Sequence, residues 1–294
     1  MKVKSFDYEM AFDRNIGWLT KEEQQKLRTS CVAIAGVGGA GGFQAQVLAR
    51  LGVGRFKIAD PDSFEMTNMN RQIGANISTL GQKKVEVIQR MIEDINPEAE
   101  IEIFPDGINE NNIKNFLQGV DLVIDGIDYF AMELKFLLFE ISYQFKIPAL
   151  TSCPLGFGAS LIVFTPSGMK YSDYFDLHEG MNSSDKRMAL TYGLSPSPLC
   201  LKYLQKGAIQ ASQKRSASVS PGLTLVGAIT GSEAVKILTG KWKVTSCPEI
   251  FQIDLMTQEV RRKKFLFGMK SPWQRFKKWV IRNFILKNAF EENP

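Results

Sequence analysis

Residues 31–42 read CVAIAGVGGAGG, and the fold follows from that stretch. CVAIAG, 31–36, is apolar without alternation, as expected of a parallel strand covered on both faces. GVGGAGG then turns the chain, and FQAQVLARLGV continues with helical periodicity as far as Gly52. RFKIAD, 55–60, is a second strand and closes a βαβ unit of about 30 residues. Just upstream, TKEEQQKLRT, 20–29, predicts a short helix with Thr20 as N-cap and Glu23 at the capping-box position.

The same alternation runs on downstream. KKVEVIQRMIEDI, 83–95, is a strongly periodic helix stopped by Asn96-Pro97. EIEIF is a strand, 109–117 a helix, VDLVIDGID a buried strand ending in acid, 131–145 a helix and IPALTSC a strand. This order predicts an α/β protein with a doubly wound, mainly parallel sheet flanked by helices. ASLIVFTP, 159–166, predicts an antiparallel continuation of it. From 167 to 221 the pattern dissolves into Gly, Ser, Pro and Asn, which reads as irregular structure, either functional or partly disordered. PGLTLVGAITGSEAVKILT, 221–239, returns as an apolar helix with Pro221 near its start and Gly240 at C′. Residues 249–265 read as a hairpin and 271–290 as a basic amphipathic helix. The expected division is a nucleotide-binding core at 1–166, an irregular crossover or substrate segment at 167–220, a completing helix and hairpin at 221–268, and a basic tail at 269–294.

Bulk properties narrow the function classes. A hydrophobic content of 44% and a charged content of 23% are ordinary for a soluble globular chain. MKVKSFDYEM leads into charge rather than an apolar run, and no stretch approaches the ~18 apolar residues of a membrane span, so a cytoplasmic location is expected. Cys31, Cys153, Cys200 and Cys247 are scattered with no CxxC pair, which argues against a zinc ribbon or a disulfide framework. The single histidine, His178, excludes any mechanism needing two imidazoles. The net charge of +5 comes from 261–287, which hold ten Lys and Arg and no acid. The body is therefore a poor candidate for nucleic-acid binding.

Gly36, Gly38 and Gly41 satisfy GxGxxG between a strand and a helix, and Asp60 ends the next strand. Glycines allow close backbone approach, the helix N-terminus attracts phosphate and an acid at Asp60 holds a ribose hydroxyl. An adenine nucleotide fits, but a nicotinamide dehydrogenase carries the same local pattern. Further residues separate the two. Asp62, then Asn68, Asn70 and Arg71 in TNMNRQ (67–72), Lys84 in GQKK (81–84) and Asp128 in DGID (125–128) all fall near the carboxyl ends of strands. Arg71, Lys84 and Asp128 together suit a triphosphate with Mg²⁺ bound above Gly39, where charge must be neutralised as pyrophosphate leaves.

The combination resembles the ThiF/MoeB group of the ubiquitin-activating-enzyme-like superfamily. The resemblance rests on AFDRNIG, RTSCVAIAGVGGAGG, LGVGRFKIADPDSFEMTNMNRQ, GQKKVEV, INPE, DLVIDGIDYF and IPALTS in order over about 10–165, and on SEAVKILTG later. It implies a Rossmann-like fold and an ATP-dependent adenylyltransferase that activates a carboxylate. It further implies that Gly39 lies against the phosphates, that Asp60 binds ribose and that Asn68, Arg71 and Lys84 contact phosphate. Asp128 would hold Mg²⁺. Arg14, in AFDRNIG, matches an arginine that a partner subunit inserts, which implies a homodimer. The implied substrate is the free C-terminal carboxylate of a ubiquitin-like or sulfur-carrier protein or of a peptide. A tRNA-threonylcarbamoyladenosine dehydratase-like enzyme and a non-catalytic nucleotide-binding scaffold remain open beside it.

The sequence also departs from the family. Many members hold zinc through two CxxC pairs, and this chain has none, so no zinc is expected. QKRSASVSP, before the 221–239 helix, lacks the cysteine of thioester-forming members. Cys200 and Cys153 are the thiols to consider as acyl acceptors, with packing the favoured role for each. The tail at 271–290 interleaves Trp and Phe with Lys and Arg, which suits docking on its own domain or a partner, or contact with a membrane surface.

Overall fold

A computed structural model describes residues 6–178, 180–205, 209–210, 215–281 and 283, of which 209–210 and 215–216 as backbone only. The elements in chain order are α1 (Tyr8–Ala11), α2 (Lys21–Thr29), β1 (Cys31–Ala35), α3 (Gly39–Arg50), β2 (Arg55–Ala59), α4 (Lys84–Ile95) and β3 (Glu100–Phe104). They continue as α5 (Ile113–Leu117), β4 (Leu122–Asp125), α6 (Met132–Gln144), β5 (Ala149–Leu155) and β6 (Gly158–Phe164). The last are α7 (Tyr171–Phe175), α8 (Ser183–Leu194), β7 (Ile209–Gln210), β8 (Arg215–Ser216), α9 (Ser220–Thr239), β9 (Glu249–Asp254), β10 (Glu259–Lys264) and α10 (Pro272–Val280).

Eight strands form one sheet in the order β10-β9-β6-β5-β4-β1-β2-β3. From β3 to β5 the pairings are parallel, and β6, β9 and β10 add antiparallel strands at one side. The chain builds outward from β1 to β3 and then crosses to β4 on the other side of β1. That reversal puts a crevice between β1 and β4 at their carboxyl ends.

Burial on both faces explains the unbroken apolar strands. Val32 and Ile34 of β1 pack with Leu48, Ile88, Ile92 and Ala234 from α3, α4 and α9. Ala33 and Ala35, on the opposite face, pack with Phe116, Leu138 and Phe139 from α5 and α6. The Thr20 capping box is present, with Glu23 N–H donating to Thr20 Oγ1 and Thr20 N–H to Glu23. Gly240 ends α9 in the left-handed conformation at φ 70°.

Two boundaries differ from the sequence reading. The strand in VDLVIDGID ends at Asp125, so Gly126, Ile127 and Asp128 form a loop above it. The stretch 167–220 is not wholly irregular. It contains α7 and α8, and Tyr171, Tyr174 and Phe175 pack into an aromatic cluster with Phe139 and Phe164. Apolar residues lie all round α8 rather than on one stripe, which hides the helical period. Asn182 caps it by accepting from Asp185 N–H at 2.8 Å. The end of the predicted 271–290 helix lies outside the described residues. No helix among the described residues is long and apolar enough to cross a membrane.

Candidate active site

The crevice is built first from backbone. Gly36 sits at φ 86°, where an L side chain is strained, and a Cβ there would lie 2.4 Å from Gly126 O. A Cβ on Gly41 would lie 1.8 Å from Gly36 O, and one on Gly126 would lie 2.2 Å from the same oxygen. The glycine turn and the 125–128 loop therefore touch main chain to main chain. α3 begins at Gly39, and its first-turn N–H groups face this turn, which is the arrangement that holds phosphate.

Asp60 is 6% exposed, and its Oδ2 accepts the Val37 N–H of the glycine turn at 2.9 Å. Oδ1 accepts from Asp62 N–H at 3.0 Å. Burial raises the Asp60 carboxyl above the usual carboxylate range, opposed by the Lys84 charge and by these two amides. Lys84, itself buried, places Nζ 2.8 Å from Asp62 Oδ2 and 4.0 Å from Asp60 Oδ1. Asp60, Asp62 and Lys84 thus form one cluster at the end of β2.

The 67–72 segment stands beside it. Asn68 is buried and accepts the Glu65 N–H through Oδ1, closing its own helical turn. Arg71 donates from Nη1 to Thr67 O at 2.8 Å and to Asn70 Oδ1 at 3.0 Å. Asn70 Nδ2 donates to Ser218 O at 3.0 Å, which ties this segment to the approach to α9. Leu223 of α9 reaches the glycine turn from the same side, 3.2 Å from where a Gly39 Cβ would lie.

Asp128 is exposed in its loop, and its Oδ1 accepts from Phe130 N–H at 2.8 Å. Among the described residues no group of three or more His, Cys, Asp or Glu gathers to hold a metal. A cation here would take Asp128 together with ligand oxygens, which is how Mg²⁺ is commonly held with a nucleotide.

Arg14 is not among these groups. It is exposed on the helical turn Asp13–Asn15 and borders a groove of about 580 Å³ with Gln46 and Arg50 of α3 and Met91, Asp94 and Ile95 of α4. That is the other end of α3 from the glycine turn. Cys153 and Cys200 are partly buried thiols whose surroundings disfavour the thiolate. Burial pushes the Cys153 thiol up to about 12, and burial also raises Cys200.

The structure adds residues that sequence reasoning missed. Asp125, 2% exposed, accepts Lys135 Nζ on both oxygens at 2.7 and 2.8 Å, Thr151 Oγ1 at 2.8 Å and Ile127 N–H at 3.1 Å. The sign of it was a lysine within the largely apolar helix MELKFLLFEISYQ. Gln72 is 9% exposed beside Gly38, and its Oε1 has no partner. Oε1 is an acceptor, so it would pair with a donor on a ligand, such as a hydroxyl, rather than with a phosphate oxygen.

Comparison with known proteins extends this picture. The chain is 41% identical over 142 residues to the tRNA threonylcarbamoyladenosine dehydratase of Bacillus subtilis, a match covering 48% of this chain and 55% of that protein. It is 24% identical over 274 residues to a probable molybdopterin-synthase adenylyltransferase of Porphyra purpurea, covering 92% of this chain and 68% of that one. The chain spans about half the length of the dehydratases it matches, 55% and 47% for two of them. The crystal structure of E. coli MccB with ATP shares the fold at a TM-score of 0.64 and 18% identity, over 92% of this chain and 73% of that one. The ThiF family matches residues 12–270, from the turn that carries Arg14 to the segment after β10. A match of that extent takes in far more than a glycine turn common to many nucleotide folds, and the chain belongs to the ThiF family.

Proposed function

We propose that this chain is an ATP-dependent adenylyltransferase acting on a carboxylate. The observation that carries the reading is the junction of three strand ends: a phosphate cradle without side chains after β1, the Asp60–Lys84 cluster after β2, and Asp128 in a loop pressed against the cradle after β4.

ATP would lie with its ribose at Asp60 and its phosphates over Gly36, Gly38, Gly39 and Gly41. Lys84 has three N–H donors and gives one to Asp62, so two can turn to phosphate. Arg71 commits Nη1 to Thr67 and Asn70, leaving Nε and Nη2 for phosphate oxygens. Asn68 and Gln72 would add neutral donors. Mg²⁺ held at Asp128 would neutralise charge on the phosphates. The substrate carboxylate oxygen attacks the α-phosphorus, the bond to the bridging oxygen breaks, and pyrophosphate departs with the electron pair. A carboxylate is already a nucleophile at neutral pH, so positioning and charge neutralisation suffice. Arg14 would serve the site of a second copy, giving a homodimer with shared sites. Trp18, 89% exposed near it, supports a face that is covered on assembly.

For the acyl substrate we favour the C-terminal carboxylate of a small carrier protein or peptide. Support comes from the extent of the likeness: the match to a probable molybdopterin-synthase adenylyltransferase spans 92% of this chain, and MccB has been crystallised with MccA. The higher identity to dehydratases supports a second reading, in which threonylcarbamoyladenosine of a tRNA is the carboxylate. ATP–pyrophosphate exchange separates them. Carrier proteins and peptides should stimulate exchange, and stimulation by modified tRNA alone would turn the assignment to the dehydratase class. Asp128→Ala is expected to keep the fold and lose exchange by about 10²-fold or more. Full exchange in that variant would remove Asp128 from the active site. ATP binding without exchange for any carboxylate would leave a nucleotide-binding scaffold.

A further inference from the structure

We propose that α10 and the neighbouring β10 edge form a surface that docks on an anionic lipid bilayer. Pro272 sits at the start of α10 and Ser271 caps it, accepting Gln274 N–H. One side of the helix is fixed to the body. Gln274, 8% exposed, accepts the Tyr192 hydroxyl at 2.5 Å, and Arg275 donates through Nε and Nη2 to the buried Asp176 at 3.0 and 2.9 Å. Lys278 lies 3.8 Å from the same carboxylate.

Those contacts fix what faces outward. At about 100° per residue, Trp273, Phe276, Lys277, Trp279 and Val280 share an arc of about 160°, while Gln274, Arg275 and Lys278 occupy the opposite side. Trp273, Phe276 and Trp279 are 60%, 52% and 53% exposed. Their rings stack in a ladder, with centroids 5.8 and 6.1 Å apart and planes within 22°. Packing the helix against the body thus presents an aromatic ladder rather than hiding it.

Charge identifies the occupant. Lys277 Nζ sits 5.1 Å from the Trp273 ring centroid. Lys263 of β10 is burdened by the charges of Lys277 and Arg261 in addition to burial, which puts the strand edge and the helix in one cationic field. Arg261 and Arg262 have carboxylate partners in Glu259 and Glu249, but Lys263, Lys264 and Lys277 have none among the described residues. Residues 261–287 contain ten Lys and Arg and no acid. Lysine is depleted in protein–protein contacts, whereas tryptophan prefers the headgroup depth of a bilayer and lysine is drawn to anionic lipids. A stripe of tryptophan and phenylalanine flanked by lysine lies in a lipid interface and does not cross it.

The test is flotation of the full chain with vesicles of phosphatidylcholine alone or mixed equally with phosphatidylglycerol. The mixed vesicles should carry the protein up and the neutral ones should not, with binding lost at high salt. Trp273→Ser/Phe276→Ser/Trp279→Ser should weaken binding at least roughly tenfold. Lys263→Glu/Lys277→Glu should do the same while leaving all three aromatic side chains in place. Both variants should keep the parent's ATP binding and thermal unfolding, since none of these residues belongs to the crevice. Absence of flotation, equal flotation of parent and variants, or self-association that the ladder variant abolishes without any vesicle binding would each overturn the proposal.

Discussion

The buried pair Asp125–Lys135 makes the sharpest demand on the structure. Asp125 is 2% and Lys135 7% exposed, and the carboxylate accepts four hydrogen bonds. Lys135→Met keeps nearly the same length but removes two of those hydrogen bonds and the only opposing charge paired with Asp125 among the described residues, stranding a buried carboxylate. Breaking one side of such a pair costs about 3–5 kcal/mol. Unfolding entropy is about 2.1 cal/mol/K per residue, so 294 residues give about 0.6 kcal/mol/K. Tm is therefore expected to fall by roughly 5–8 °C. Asp125→Asn/Lys135→Met removes the stranded charge, and the amide can still accept the Ile127 N–H through its oxygen while its NH2 donates to Thr151 Oγ1. Its loss should be less than half that of the single variant. Thermal unfolding followed by circular dichroism at neutral pH, on all three chains, provides the readout. A single variant within about 1 °C of the parent, or additive losses, would refute the reasoning that the pair is a closed buried unit.

Two other expectations follow from the geometry. A thiol raised to about 12 like that of Cys153 is only about 10⁻⁴ thiolate near pH 8, against roughly a quarter for an ordinary cysteine. Cys153 and Cys200 should therefore resist iodoacetamide in the folded chain and react after denaturation, as read by mass spectrometry; rapid alkylation of either in the native state would reopen an acyl-thioester role. Gly126→Ala would force a Cβ to within 2.2 Å of Gly36 O and push the Asp128 loop off the glycine turn, lowering exchange by about 10²-fold. Gly119→Ala, strained at φ 70° but meeting no atom, should cost some stability while leaving exchange near the parent rate, and equal losses of exchange in the two would dismiss the loop contact as the cause.

The sequence made the sheet legible because β1, β4 and β6 are buried on both faces and admit only apolar residues. It also placed Asp60 and Lys84 near each other, since both lie at the end of β2 or the start of α4. What it hid depended on contacts far apart in the chain. In DGID the sequence reads the strand as running to Asp128, yet it ends at Asp125, and the buried role of that first acid depends on Lys135 and Thr151. Residues 167–220 gave no period because α7 is a single short helix whose aromatics are held by Phe139 and Phe164 rather than by its own pattern. Arg14 reads as an arginine lent to the site of a second copy, and in this chain it lies at the far end of α3 from the glycine turn.

A crevice at a sheet switch point needs a wall on its open side, and here that wall is supplied late in the chain. Ser218 accepts from Asn70, and Leu223 stands over Gly39, so the start of α9 touches both the 67–72 segment and the glycine turn. The packing of Gly222 against Gly156 O, which leaves 2.2 Å for a Cβ, fixes α9 to the β5–β6 turn as it does so. The element that closes this end of the crevice is therefore joined directly to the stretch between β6 and α9.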